Sequence, residues 1–255
     1  MKKIGVALSG GGAKGFAHAG ALKALEEIGI KPHIISGTSA GAVVGALYSH
    51  GLTPDEILKL FKNKDYNDFL ELNIPTSGLF STGKFISFLE KEISTQRLED
   101  LPIPLYVTTT NLDRGISETF CSGNLHKIVM ASACIPVLFT PVTIDGERYV
   151  DGGIFKNLPV SPIVDKCDLI IGINASPLIT ESYNNNILSI AERSYHFMFR
   201  ANTIADKALC DILVEVQSVM QYGTYDLKKV EIIFEKGYNE TIEIIKQNID
   251  TFVNK

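Results

Sequence analysis

The sequence predicts an α/β fold: a mainly parallel central sheet flanked by helices, with a helical C-terminal tail. Three observations predict it. Short apolar runs alternate with helical patterns through the first quarter of the chain. Glycine-rich turns stand at two strand-to-helix junctions, Gly10 to Gly15 and Gly37 to Gly41. A further buried-strand pattern, Leu169 to Ile173, precedes long helical stretches that run to the C-terminus.

The elements follow in order. Ile4 to Leu8 (IGVAL) reads as a short buried strand. Phe16 to Ile28 reads as a helix, with Leu22, Leu25 and Ile28 at spacing three and Gly29 as its stop. His33 to Ile35 is a second strand and Ala40 to Tyr48 a second helix, followed by Gly51. This strand–helix–strand–helix order predicts parallel pairing with covering helices. A third helix opens on Thr53-Pro54-Asp55-Glu56, where Thr53 caps, Pro54 fits the first turn and Glu56 completes a capping box. Asn63 to Gly83 is polar and irregular and reads as a loop or lid. Lys84 to Ile93 is helical. Ile103 to Thr110 is a strand, turned by Asp113-Arg114-Gly115 into Ile116 to Phe120. Asn124 to Cys134 is a short helix broken at Ile135-Pro136. Asp145-Gly146 separates Pro141–Ile144 from Arg148–Val150 as a second hairpin. After Leu169–Ile173 come a long helix at Ile187 to Leu209, a strand at Ile212 to Val216, and one or two helices over Leu227 to Phe252, punctuated by Gly237. No repeat or linker divides the chain, so residues 4–165 and 166–255 are expected to complete one domain.

Composition narrows the function. Of 255 residues, 45% are hydrophobic and 21% charged, enough for a core and ordinary for a soluble protein. The net charge of −5 lacks the basic excess of a nucleic-acid binder. Cys121, Cys134, Cys167 and Cys210 form no C-x-x-C pair, so free thiols in a reducing compartment are expected rather than a metal or redox motif. The apolar stretch Ile4 to Leu8 is too short for a signal peptide, and no segment reaches the roughly 18 apolar residues of a membrane span. A cytoplasmic protein without cofactor or metal is expected.

Gly10-x-Gly12-x-x-Gly15 after a strand matches the spacing of a dinucleotide-binding loop. That fold needs an acidic residue about 20 positions on, and Ile34 to Gly41 holds none. A phosphate-binding P-loop fails as well, because no Lys-Ser/Thr follows at the right distance. In the acid's place stands Gly37-Thr38-Ser39-Ala40-Gly41, G-x-S-x-G between a strand and a helix, the context of a nucleophile elbow. Taken by itself it is also a tightly packed small-residue turn. Together the two loops suit acyl transfer: Ser39 attacks a carbonyl, and backbone amides at Gly10, Gly11 and Gly12, with Ala13 beside them, hold the oxyanion. Glycines lining both loops, Gly15, Gly37 and Gly41 among them, allow close backbone approach.

Ser39 needs a base. His18, His33, His50, His126 and His196 all sit where a surface or half-buried histidine is the simpler reading. Asp151, in Tyr149-Val150-Asp151-Gly152-Gly153, ends a returning strand, whereas Asp145 sits within a hairpin turn. Phe80, Leu79 and Ile135 to Phe139 are candidates either for an apolar substrate cleft or for core. Tyr195, Phe197, Met198 and Phe199 point to a packed or interface helix and allow a homo-oligomer.

GGGAKG, GTSAG and DGG, in that order, resemble the patatin-like phospholipase family, as does Ala131 to Pro136 ahead of the aspartate. The resemblance spans about Ile4 to Asp165. It implies a three-layer α/β/α fold and a lipid acyl hydrolase of the phospholipase A or lysophospholipase type. It implies a Ser39–Asp151 dyad without histidine, with Gly11 and Gly12 in the oxyanion loop and Gly152 and Gly153 supporting the base. Lys14 matches a basic position, often arginine, in that loop. Both an anion-contacting role and a plain solvated lysine stay open for it, since lysine lacks the bidentate fork. The lipid substrate brings with it transient contact with a membrane surface. Two other classes stay open: a nucleotide-binding protein using Gly10 to Gly15, and a non-catalytic interaction protein on the same fold.

Overall fold

The apolar run IGVAL forms β1 (Ile4–Leu8) in the middle of the sheet, where Val6, Ala7 and Leu8 are buried completely. A strand covered on both faces needs this unbroken apolar run rather than alternation. The computed structural model describes residues 2–72, 78–177 and 187–248. In chain order the elements after β1 are α1 (Phe16–Glu27), β2 (Ile34–Thr38), α2 (Ala40–His50), α3 (Pro54–Phe61), β3 (Glu71–Leu72), β4 (Phe80–Ser81), α4 (Gly83–Glu92), β5 (Leu105–Asn111) and β6 (Ile116–Phe120). They continue with α5 (Leu125–Ser132), β7 (Val142–Ile144), β8 (Glu147–Asp151), β9 (Leu169–Asn174), α6 (Ile187–Lys207), β10 (Ile212–Glu215) and α7 (Val230–Gln247).

The sheet order is β10-β9-β1-β2-β5-β8-β7, with β6 also paired to β5. β10, β9, β1, β2 and β5 run parallel. β6, β8 and β7 add an antiparallel corner. The corner positions the site. β6 occupies one edge of β5 through Val107–Asn111, so β2 and β8 share the other edge in succession. Thr38 pairs with Thr108 and Asp151 with Thr109, one residue further on. The ends of β2 and β8 therefore meet head to head.

Most local signals carry through. Thr53 Oγ1 accepts from the Glu56 amide at 3.3 Å and Glu56 returns a bond to the Thr53 amide, giving the expected capping box on α3. Asp145 and Gly146 both take positive φ (49° and 86°), as a two-residue hairpin between β7 and β8 requires. Three readings change. Gly237 does not interrupt the C-terminal helix: α7 runs through it because α1 crosses there, and a Cβ at 237 would collide with Ala17 while one at Gly20 would collide with Phe234. Asn63 to Gly83 is less of a free loop than its polarity implies. Phe69 is buried and its ring packs edge-on or tilted at 5.1–5.8 Å from those of Phe61, Phe85 and Phe88; residues 73–77 lie outside the described ones. On α6, Phe197 and Met198 are exposed while Phe199 turns toward the residues after Asp151. The side chains of Tyr195 and His196 lie outside the described ones.

Candidate active site

The turn from β2 into α2 holds Ser39 at φ 52°, ψ −121°. For a residue with a Cβ this costs about 1–3 kcal/mol and persists only where the surroundings impose it. They do so here. Gly41 lies so close to β1 that a Cβ would strike the Leu8 and Ser9 carbonyls, and one at Gly37 would meet Gly41 O at 2.6 Å. From below, the Ser39 amide donates to Ser132 Oγ at 2.8 Å, and that hydroxyl donates to Thr108 O at 2.6 Å. Ser132 was not singled out from the sequence. It belongs to the Ala131 to Pro136 stretch, and its work is to prop the elbow.

Asp151 ends β8 beside Thr109. Its amide donates to Cys134 O at 2.8 Å and its carbonyl accepts from Thr110 Oγ1 at 2.9 Å, so the backbone is fixed on both sides. Oδ1 accepts from the Gly153 amide at 2.8 Å. Gly152 packs on Thr108 with no room for a side chain. Asp151 is 2% exposed. Burial raises its carboxyl pKa from 3.8 to about 6, against the opposing pull of the Ser39 hydroxyl and the Gly153 amide. Burial, with the Asp151 charge adding to it, also pushes the Cys134 thiol up to about 12, which leaves it unreactive near neutral pH.

The glycine loop lies against the elbow: a Cβ on Gly10 would sit 3.2 Å from Ser39 Cβ, and one on Gly15 would strike Ala40. The expected set of amide donors shrinks here. The Gly10 N–H is spent on Asn157 O at 3.0 Å and the Ala13 N–H on Thr224 O at 2.7 Å, because both carbonyls anchor the loop. Among the described residues, the Gly11 and Gly12 amides have no partner. Gly12 takes φ 57°, and a Cβ there would collide with Thr224. Lys14 is 3% exposed, so the solvated-lysine reading does not hold.

Where its side chain is described, each histidine is hydrogen-bonded to a group other than Ser39. His18 is fully buried rather than at the surface. Its Nε2–H donates to Ser9 O at 2.7 Å, and burial lowers its pKa to about 4, keeping it neutral. His126, also buried, donates to Ile93 O at 2.9 Å. His33 Nδ1 accepts from the Ile4 amide, and His50 pairs with Thr95.

Ser39 opens onto a narrow apolar cleft of about 90 Å³, lined among others by Gly12, Val43, Phe61, Phe85, Ile135 and Phe139. Ile135 and Phe139 thus line the cleft, and Phe80 packs beside them. Leu79 (45% exposed) and Val137 (75% exposed) point outward from the same two segments, joined by Leu79 N–H to Val137 O at 3.1 Å.

A serine in a strained strand-to-helix turn, a buried carboxyl at its side and a glycine loop thus meet over an apolar cleft at one edge of a mainly parallel α/β sheet. The sequence model of the family described as "Patatin-like phospholipase" matches residues 6–164, and the chain belongs to that family. It is 29% identical over 282 residues to the lysophospholipase NTE1 of Pyricularia oryzae, covering 96% of this chain and 18% of that protein. It is 34% identical over 187 residues to an NTE family protein of Mycobacterium tuberculosis, covering 72% of this chain and 50% of that one. The chain thus spans half or less of the length of these curated relatives. The crystal structure of VipD from Legionella pneumophila shares the fold, with a TM-score of 0.53 at 17% identity over 96% of this chain and 67% of VipD. No helix among the described residues is long and apolar enough to cross a membrane.

Proposed function

We propose that the protein is a serine acyl-ester hydrolase of lipids, of the phospholipase A or lysophospholipase type, working through a Ser39–Asp151 dyad. The observation that carries this reading is Asp151: a buried carboxyl with its pKa raised to about 6, set against a strained serine that lines an apolar cleft. The name lysophospholipase borne by the fungal relative supports a lipid ester as substrate.

The reaction balances with these residues alone. Ser39 Oγ attacks the ester carbonyl as its proton passes to Asp151. The carbonyl oxygen becomes an oxyanion held by the Gly11 and Gly12 amides, each such donor contributing about 2.7–4 kcal/mol of barrier reduction. Collapse breaks the ester C–O bond, and Asp151 returns the proton to the departing alcohol. Water then attacks the acyl-serine while Asp151 takes its proton. The second tetrahedral species expels Ser39 Oγ, which recovers that proton, and the fatty acid leaves. The base works ionised, so the rate climbs as pH rises through about 6 and levels above it.

In this reading residues 4–165 and 166–255 act as one domain, the exposed Leu79 and Val137 meet the lipid surface, and the four free thiols fit a reducing, cytoplasmic setting. A fluorophosphonate probe with peptide mapping tests the core of it. Label on Ser39, lost in Ser39→Ala, is the expected result; a folded wild-type protein that takes no label and cleaves no short-chain nitrophenyl ester would refute it.

A further inference from the structure

Two asparagines outside the dyad connect the loops on either side of it. Asn202 lies on α6, beyond the residues that the family's sequence model matches. Its Nδ2 donates to Gly153 O at 2.7 Å and to Ile154 O at 3.1 Å, and its Oδ1 accepts from the Asn157 amide at 2.9 Å. One carboxamide thereby uses both its hydrogens and an oxygen lone pair on three backbone groups. The Asn157 carbonyl accepts from the Gly10 amide, and the Gly153 amide donates to Asp151 Oδ1. A hydrogen-bonded path therefore runs from the carboxyl of Asp151, through the turn after it, across Asn202 and Asn157, to the loop packed on Ser39.

The link runs through the Asn157 backbone. Its carboxamide is buried between the same loops, where a Cβ on Gly10 or Gly153 would meet its Oδ1, and among the described residues neither end of it has a partner. Asn202, by contrast, is half-buried and fully used. A helical asparagine is a poor helix former, so its presence at this point in α6 needs a reason in its contacts.

We propose that Asn202 is a positioning residue. It sets the 152–154 turn and, through Asn157, the glycine loop, so that Asp151 and the Gly11 and Gly12 amides keep one geometry relative to Ser39. It touches neither substrate nor reacting atoms. A displacement on the order of 1 Å in such a site costs about 100-fold in rate.

Asn202→Leu removes all three bonds at similar volume. Its kcat on a short-chain nitrophenyl ester should fall about 10- to 100-fold with KM within about twofold, and the acid limb of the pH profile should move up, because a loosened Gly153 amide no longer holds the Asp151 pKa down. Hydrogen exchange reads the same link without substrate: the hydrogen-bonded amides of Gly153, Asn157 and Gly10 should exchange at least about tenfold faster while β1 and β9 stay protected. Asn202→Asp keeps the acceptor for Asn157 and loses both donations, so it should loosen the Gly153 amide and leave those of Asn157 and Gly10 protected; it decides the matter if the leucine variant does not fold. Wild-type kcat and pH profile in a folded variant, or a lower melting temperature with unchanged kcat and exchange, would overturn the proposal. The kinetic arm rests on the hydrolase reading and the exchange arm does not, so an inactive wild type would end that reading and leave the clamp to be decided by exchange.

Discussion

Residues 6–164 and the residues after them meet at the same site but bring different atoms to it. The first region brings the groups placed at the cleft: the Ser39 hydroxyl, the Asp151 carboxyl and the Gly11 and Gly12 backbone amides, which have no partner among the described residues. The second brings anchors: Thr224 O on the Ala13 amide and Asn202 on the turn after Asp151. It also brings Ser176, whose Oγ would lie 3.1 Å from a Cβ on Gly11. The difference teaches that the proposed reacting groups sit on short, strongly patterned loops, while their relative placement depends on contacts made far along the chain.

The largest expected effects separate the two kinds of contribution. Ser39→Ala and Asp151→Asn should each cut ester hydrolysis by at least about 1,000-fold in folded protein, measured by steady-state kinetics alongside thermal unfolding. Asp151→Asn should also be more stable than wild type at pH 8. A carboxyl whose pKa rises from 3.8 in the unfolded chain to about 6 in the fold is destabilising once ionised; the difference corresponds to about 3 kcal/mol. The sign follows from proton binding. Between the two values the folded state holds the extra proton, so wild-type stability falls as pH rises through that window and is lowest above it. Asparagine keeps an acceptor for Gly153 and carries no charge. Its gain of about 1–3 kcal/mol should appear at pH 8 and vanish at pH 4, as read by urea unfolding at both values. Equal stability at pH 8 would mean that the Asp151 carboxyl is not destabilised by its burial.

Next in size are the supports. Gly12→Ala places a Cβ at φ 57° against Thr224 O, so the loop has to move. Loss of one oxyanion donor predicts a drop in kcat of about 100-fold. Ser132→Ala leaves the Ser39 amide without its acceptor and Thr108 O without its donor, and should lower kcat about tenfold with a loss of about 1–2 kcal/mol in stability. If Ser132→Ala lowers stability and leaves kcat intact, the elbow is held by its glycines alone.

How much of this the sequence discloses depends on which atoms do the work. The elbow is legible because Gly37 and Gly41 are required by contacts local to one turn, and Asp151 is legible because it ends a strand at Gly152-Gly153. Their meeting is not, since it depends on β2 and β8 each pairing with the same edge of β5, which brings together strand ends more than a hundred positions apart. The glycine loop is legible as a loop but not as a count of donors: the Gly10 and Ala13 amides are taken by backbone carbonyls of Asn157 and Thr224, and a carbonyl leaves no mark on residue identity. Gly237 is a similar case. A glycine within a helical pattern signals either an end or a close crossing, and only the partner, Ala17 of α1, decides between them.

The smallest effect concerns the rim of the cleft, where Val137 holds φ 72° with its side chain in solvent. A β-branched residue in that region is strained by roughly 1–2 kcal/mol. The backbone around it is pinned, with Leu79 and Phe80 amides donating to Val137 O and Leu138 O, and Phe139 N–H donating to Ile135 O. The fold therefore gives up some stability to keep an apolar side chain outside, next to Ile135 and Phe139 of the cleft. Val137→Gly relieves the strain and removes the side chain. It should raise stability by about 0.5–1 kcal/mol, leave hydrolysis of a soluble short-chain ester within about twofold, and reduce hydrolysis of the same acyl group presented in phosphatidylcholine vesicles severalfold. A gain in stability with equal activity on both substrates would assign Val137 to the turn alone and remove this rim from the lipid-facing surface, without touching the dyad beneath it.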